Sequence, residues 1–428
     1  NARVNEEIIA GNKINFELIF EDLEKFYVQK INIFGNNVTM EEVIRNKFII
    51  DEGDAFNEIL HNKTINRIKG SGYFKSVSSE VKDSDEEGKK VIDITVEERP
   101  TGEISAGAGV GTTGSQFSVG IRENNYLGKG IAVNTSLSVS ASTITCSASI
   151  TRPNFLYSEK ALTYGVVSQT VDNMTEYGYK TNVVGVDVGT RYEQLDSLYF
   201  SPSLSINSES LTTSSAATTS LKKQEGSYDD LNFSYGLDYD KRDQRFLTTD
   251  GHRSNFYQQI PVISNSAEII NGYEITNYHE IGDNIITTAS FYARAVNSLS
   301  GDDVRISKRV KLPSRKLRGF EVGKIGPKDG EDFIGGNYSY SLNFTSTVPM
   351  LFENSEAADL KVFLDAGNVW GVDYSDQIKD SNEIRSSIGL AMDYFTPMGP
   401  LSFSLTQPIT YTSSDKTERF RFTLGTTF

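Results

Sequence analysis

From residue 101 to the end of the chain, apolar and polar positions alternate with a period of two, in short segments separated by polar turns. The last segment is representative. Phe420, Phe422, Leu424 and Phe428 fall on one parity; Arg419, Arg421, Thr423, Gly425 and Thr427 fall on the other. Successive side chains of a strand point to opposite faces, so this pattern predicts strands with one apolar and one polar face. Apolar toward lipid and polar toward a lumen is the pattern of a membrane barrel. A soluble β-sandwich fits poorly, because it has no use for so many strands with a polar second face. Strand candidates lie at 103–111, 116–123, 130–140, 143–152, 160–171, 178–190, 194–207, 228–240, 251–260, 270–281, 284–296, 335–347, 358–366, 384–395, 400–407 and 419–428, about 16 in all. An even number suits a single-chain bacterial barrel. Short turns such as 396–400 alternate with long loops at 208–227, 297–334 and 367–383. The short turns are expected on the periplasmic side and the long loops outside.

The first hundred residues follow a different rhythm. Residues 1–25 hold a polar stretch and one strand-like run, Lys13–Phe20, which cannot fold alone and reads as the remnant of a preceding domain. Residues 26–99 read as a small α/β domain in the order β-α-α-β-β. Tyr27–Phe34 alternates as a strand and stops at the turn signal Gly35-Asn36-Asn37. Thr39 with Glu42 has the spacing of a capping box. A second helix carries Ile59, Leu60, Ile65 and Ile68 before Gly70 and Gly72 end it. Strands at 73–82 and 89–97 follow, and Arg99-Pro100 leads into the barrel region, 100–428.

Composition narrows the class. The chain has 428 residues, is 37% hydrophobic, and has no apolar run long enough to span a bilayer as a helix. It carries 21 Tyr and 24 Phe against 1 Trp, in keeping with aromatic belts on a barrel. A net charge of −15 argues against nucleic acid as a partner. The single cysteine, Cys146, cannot form an internal disulfide. His61, His252 and His279 lie far apart without metal-ligand spacing. Asp329-Gly-Glu-Asp332 has only part of a calcium-loop pattern and reads as a solvated loop tip. No nucleophile–base–orienter set stands out, so no enzyme, metal or cofactor is expected.

Several motifs resemble one family. Residues 28–98 resemble a POTRA domain in element order and in Gly35-Asn36 and Gly70-Ser-Gly-Tyr-Phe74. Leu317-Arg-Gly-Phe320 resembles the (V/L)RGF motif on the long sixth extracellular loop of the BamA-type outer-membrane assembly superfamily. Phe363-Leu-Asp-Ala-Gly-Asn-Val-Trp370 is similar to that family's F-x-D-x-G-x-V-W segment. Asn125-Tyr-Leu-Gly128, Ile334-Gly-Gly-Asn337, Met398-Gly-Pro-Leu401 and the closing 422–428 also match its pattern, in the family's order. Within the family, the chain is most similar to the BamA branch. Two departures stand out. Lys311-Leu-Pro-Ser-Arg-Lys316 replaces the usual Gly pair before the motif, and Asn343 stands where an acid is usual.

The resemblance implies a central insertase of the β-barrel assembly machinery, placed in the cell outer membrane with its POTRA domain in the periplasm. Implied partners are unfolded outer-membrane proteins, accessory lipoproteins, periplasmic chaperones and outer-membrane lipid. A TamA-type assembly factor and a two-partner-secretion polypeptide transporter are the alternatives, with a passive porin and a mitochondrial homologue behind them. The loop at 297–334 would fold into the lumen. Asp365 shares parity with Lys361 and Phe363, so it should point inward. Arg318 offers a planar donor fork for it, Gly319 permits close backbone approach and Phe320 can pack on the wall. With Leu317, these form the expected lumenal anchor. The expected second device is a lateral seam between 103–111 and 419–428. Gly107, Gly109 and Gly111, faced by small residues on the opposite parity, weaken the first strand. Gly425 and Phe428 belong to the last. An ill-paired edge there could template an incoming strand without nucleotide hydrolysis.

Overall fold

The computed structural model describes residues 2–9, 13–20, 25–158, 160–245, 248–282, 285–301, 303–348, 358–373, 378, 380, 382–396 and 399–425. It divides into two compact units, 1–102 with 123–132, and 103–122 with 133–428.

In the first unit, β1 (Ala2–Ile9) pairs antiparallel with β2 (Lys13–Phe20). The first of these strands was not expected, because Arg3, Asn5, Glu6 and Glu7 mask its Val4, Ile8 and Ile9. The α/β part contains β3 (Tyr27–Phe34), α1 (Glu41–Arg45), α2 (Glu58–Gly70), β4 (Phe74–Asp83) and β5 (Lys89–Glu98). Its sheet order is β3-β5-β4, with β3 parallel and β4 antiparallel to β5. Val28, Ile31, Ile44, Ile65, Ile68, Ile92 and Ile94 form the core. Asn57 caps α2 by accepting the Leu60 N–H at 3.1 Å. Ile59 does not join the core: it is exposed, and His61 and Thr64 take buried places on that helix instead. The capping box does not form either. The N-cap of α1 is Met40, and the Thr39 hydroxyl accepts a 2.9 Å bond from Asn125 in the segment 123–132. In the same segment, a Cβ on Gly128 would lie 1.9 Å from the Val38 carbonyl oxygen, so only glycine fits. Glu98 accepts the N–H groups of Asn37, Val38 and Thr39 at 3.0, 2.9 and 2.6 Å. Burial pushes its carboxyl up, but these donors outweigh it and hold the group below its usual range.

The second unit is a closed antiparallel barrel of 16 strands. They are β6 (Gly102–Gly111), β7 (Gly114–Tyr126), β8 (Ile131–Ser140), β9 (Thr143–Arg152), β10 (Ala161–Asn173), β11 (Tyr179–Leu195), β12 (Leu198–Thr213) and β13 (Gly226–Asp240). The circuit continues through β14 (Gly251–Ser264), β15 (Glu268–Glu280) and β16 (Ile286–Ser298). A hairpin of β17 (Lys328–Asp329) and β18 (Asp332–Phe333) lies within the following loop, outside the wall. The wall resumes with β19 (Tyr338–Thr347), β20 (Ala358–Trp370), β21 (Arg385–Thr396), β22 (Gly399–Thr410) and β23 (Phe420–Gly425). No helix among the described residues is long and apolar enough to cross a membrane. The strands themselves carry the amphipathic pattern. Val184, Val186, Leu204, Ile206, Ile388, Leu390 and Leu405 are exposed on the outer face, while Asn232, Ser234, Ser387 and Thr406 are buried toward the lumen.

Two of the expected loops are shorter than their polar sequence suggested. At 208–227 the wall continues to Thr213 and resumes at Gly226, and at 367–383 it continues to Trp370. Near the loop end of the barrel the inner face packs on the long loop instead of a wet lumen, so simple alternation fades there. Glu209 and Leu211 are both buried in that zone. The first barrel strand also differs from expectation. Besides Ala106 and Ala108, its outer parity carries Ile104 and Val110, both exposed.

Candidate functional site: the loop inside the barrel and the strand seam

The loop between β16 and β19 is held against the lumen wall by Arg318. Its Nε and Nη2 donate to the two oxygens of Asp365, each at 2.7 Å, and its backbone N–H adds a third bond at 3.0 Å. Asp365 sits on the inner parity of β20 and is fully buried. The guanidinium lies over the Phe363 ring, 3.5 Å from its centroid. Asn343 of β19 donates to Asp365 at 2.9 Å and to the Lys316 carbonyl at 2.9 Å. A carboxylate at 343 could make neither bond. The asparagine therefore joins wall to loop with a donor where relatives are expected to place an acceptor.

The neighbouring motif residues complete the seat. Gly319 has φ +88°, and a Cβ there would stand 2.6 Å from Thr406 Cγ2 and 3.1 Å from Ser387 Cβ. Only glycine suits both the left-handed backbone and the close approach. Ser387 Oγ donates to the Arg318 carbonyl at 2.6 Å. Leu317 and Phe320 are buried with Leu312, Ile325 and Val369. Arg421 on β23 donates to the carbonyls of Ser314 and Phe320, at 2.8 and 2.7 Å.

Three further charge clusters were not anticipated. Arg305, at the start of the loop, binds Glu268, Asp230 and Glu209 at 2.7, 2.7 and 3.2 Å, all of them buried. Arg385 pairs with Asp415 at 3.0 Å and also bonds Asn368. Arg309 pairs with Asp373. Isolated arginines in loops and at strand ends carry no distinguishing motif, and their acidic partners lie 30 to 96 residues away. Only the fold reveals them. Lys311 stands over the Tyr177 ring at 3.2 Å, and burial lowers its ammonium to about 7.

The seam residues fall as follows. The pairs joining β23 to β6 are Thr423 with Gly111, Leu424 with Val110, and Gly425 with Gly109. The β15–β16 pairing, by contrast, runs without a break from Glu268 to Glu280. A Cβ on Gly111 would meet the Phe422 carbonyl oxygen at 2.6 Å. Gly425 has φ +114°, and its Cβ would meet the Ala108 oxygen at 2.2 Å. Gly107 has no β23 partner among the described residues. Phe428 lies outside the described residues.

A sixteen-stranded barrel with a loop fastened in its lumen, in a chain that also carries a small α/β domain, defines a class of outer-membrane protein. Residues 125–428 match the Omp85 superfamily domain, and residues 26–99 match the POTRA family, described as a surface antigen variable number repeat. The chain belongs to the Omp85 superfamily and contains a POTRA domain. It is 26% identical to outer membrane protein assembly factor BamA of Neisseria meningitidis serogroup B, over 97% of this chain and 58% of that protein. It is 24% identical to the BamA of Neorickettsia risticii, over 98% of this chain and 57% of that protein. The chain thus spans somewhat over half the length of the curated relatives it matches. In fold it is similar to the crystal structure of Haemophilus ducreyi BamA lacking POTRA domains 1–3, with TM-score 0.87 and 22% identity over 100% of this chain and 90% of that one. CdiB from Acinetobacter baumannii is a more distant match, with TM-score 0.57 and 10% identity over 99% of this chain and 78% of that one.

Proposed function

We propose that the protein containing this chain is the central insertase of an outer-membrane β-barrel assembly machinery. It resides in the cell outer membrane with its POTRA domain in the periplasm. It works on unfolded outer-membrane proteins delivered by periplasmic chaperones, together with accessory lipoproteins and the surrounding lipid. The observation that carries this reading is similarity to BamA proteins along nearly the whole chain, with the Arg-Gly-Phe turn seated on Asp365.

The physical route has two parts. The loop anchor keeps a large polar segment docked in the lumen, so the wall from β19 to β22 behaves as a braced body. The seam is the yielding element. Three pairs are described between β23 and β6, and glycine stands at Gly109 and Gly111 on one side and at Gly425 on the other, so few side chains pack across the seam. Unpaired backbone groups facing hydrocarbon cost several kcal/mol each, so an incoming strand that pairs with this edge is stabilised without nucleotide hydrolysis.

The test is folding of a urea-unfolded outer-membrane protein in liposomes. The vesicles would hold the full-length parent, the Arg318→Ala parent, or no protein. Faster folding with the parent, reduced in the variant, supports an insertase that depends on the anchor. No acceleration, with passage of a secreted polypeptide or a steady ion current instead, would replace it with a transporter or pore.

A further inference from the structure

Four arginines converge at the end of the barrel opposite the long loop, in a chain whose net charge is −15. Arg191 lies in the last part of β11, Arg242 and Arg245 follow β13, and Arg253 lies near the start of β14. They surround a concavity of about 190 Å³ shared with Tyr199, Asp238 and Asp240. The concavity opens to the lumen. Asp238 has the parity of the buried Asn232 and Ser234, opposite the outward Phe233, Tyr235 and Leu237.

Both carboxylates are already engaged. Asp238 accepts Arg191 Nη2 at 3.0 Å and Arg253 Nε and Nη2 at 2.9 and 3.1 Å. Asp240 accepts Arg242 Nε and Nη2, both at 2.8 Å. Acids close by in sequence are held elsewhere. Asp196 pairs with Lys241, Glu193 accepts the Ser197 N–H, and Asp243 accepts from Thr249. Four guanidiniums against two carboxylates leave a formal excess of +2 around the concavity. Each guanidinium carries five N–H donors, so many remain for a ligand. The Arg191 guanidinium lies over the Tyr199 ring, 4.8 Å from its centroid, and Arg245 is exposed with no ion pair among the described residues. A concave wall focuses such a field onto whatever enters the mouth.

We propose that this lumen-facing arginine concavity binds carboxylate-bearing segments of the unfolded polypeptides on which the protein acts. The guanidinium fork matches a carboxylate bidentately. Lipid headgroups are disfavoured as the ligand, because the site lies on the parity opposite the lipid-facing residues. The assignment of polypeptide as the source rests on the assembly-factor reading.

The experiment uses the full-length parent in an uncharged detergent, with a fluorescent hexaglutamate peptide, its hexaglutamine twin and inorganic phosphate as a competitor. The glutamate peptide should bind and the glutamine peptide should not. Arg245→Ala should weaken binding about tenfold, the scale of one charge-assisted hydrogen bond, and Arg245→Lys should recover part of it. Arg191→Gln provides a second variant that leaves Asp238 paired with Arg253. Equal binding of the two peptides, or no effect of either arginine variant, would overturn the site. Displacement by phosphate at the same concentration as unlabelled hexaglutamate would overturn its assignment to polypeptide. Liposome folding is measured on the same samples. Peptide binding without accelerated folding removes the insertase reading and leaves the site, whereas accelerated folding without peptide binding does the reverse.

Discussion

Removing the Arg318 side chain should release the loop from the lumen wall. Asp365 is fully buried and accepts two bonds from the guanidinium, one from the Arg318 N–H and one from Asn343. In Arg318→Ala the carboxylate keeps only the two amide donors and loses its counter-charge. Breaking a buried pair from one side costs about 3–5 kcal/mol, because the remaining charge stays desolvated. If loop opening precedes cleavage, that corresponds to a rate increase of about 10²- to about 4 × 10³-fold. Trypsin reads it directly, since Lys311, Arg315, Lys316 and Lys324 flank the turn. The double variant Arg318→Ala/Asp365→Ala removes both charges, and should be cleaved more slowly than Arg318→Ala alone. Two results would refute the reasoning. One is an Arg318→Ala rate within about threefold of the parent, which is under ~1 kcal/mol. The other is identical cleavage of the single and double variants, which would mean that no buried charge had been stranded.

Three further outcomes follow from the geometry. Gly425→Ala forces a Cβ against the Ala108 oxygen at a left-handed φ, so cross-linking between cysteines placed at the partners Val110 and Leu424, with Cys146 replaced by Ser, should fall well below that in a Gly425 background. Asn343→Asp replaces a donor to Asp365 and to the Lys316 carbonyl with a second carboxylate, costing about 2 kcal/mol or more at neutral pH. Trypsin at neutral pH should therefore cleave that variant's loop faster than the parent's, and an unchanged rate would count against the repulsion. In the POTRA domain, burial lowers the His61 pKa while its ring bonds Ser79 Oγ at 3.0 Å. A group depressed in the fold binds its proton first in the unfolded chain, so stability is full above ~6.5 and falls as the pH drops below it. Urea midpoints of the domain at pH 7.5 and 5.5 should show that loss, and it should shrink in His61→Gln.

Period-two alternation was enough to reveal the barrel, because each wall strand meets two different solvents and its parity records them. All 16 wall strands can be located in this way. The inward placement of Asp365 follows from parity alone, and Arg318-Gly319-Phe320 is legible as a motif because its chemistry is compact in sequence. What parity cannot encode is who meets whom across the lumen. Arg305 reaches Glu209 from 96 residues away, and Arg385 reaches Asp415 from 30. The role of Asn343 as a donor between loop and wall also depends on that juxtaposition. Such partners are chosen by the closed circumference and by how the loop folds back inside it. A strand's own sequence records only which side it turns to lipid and which to the interior; barrel closure decides which charges share the interior.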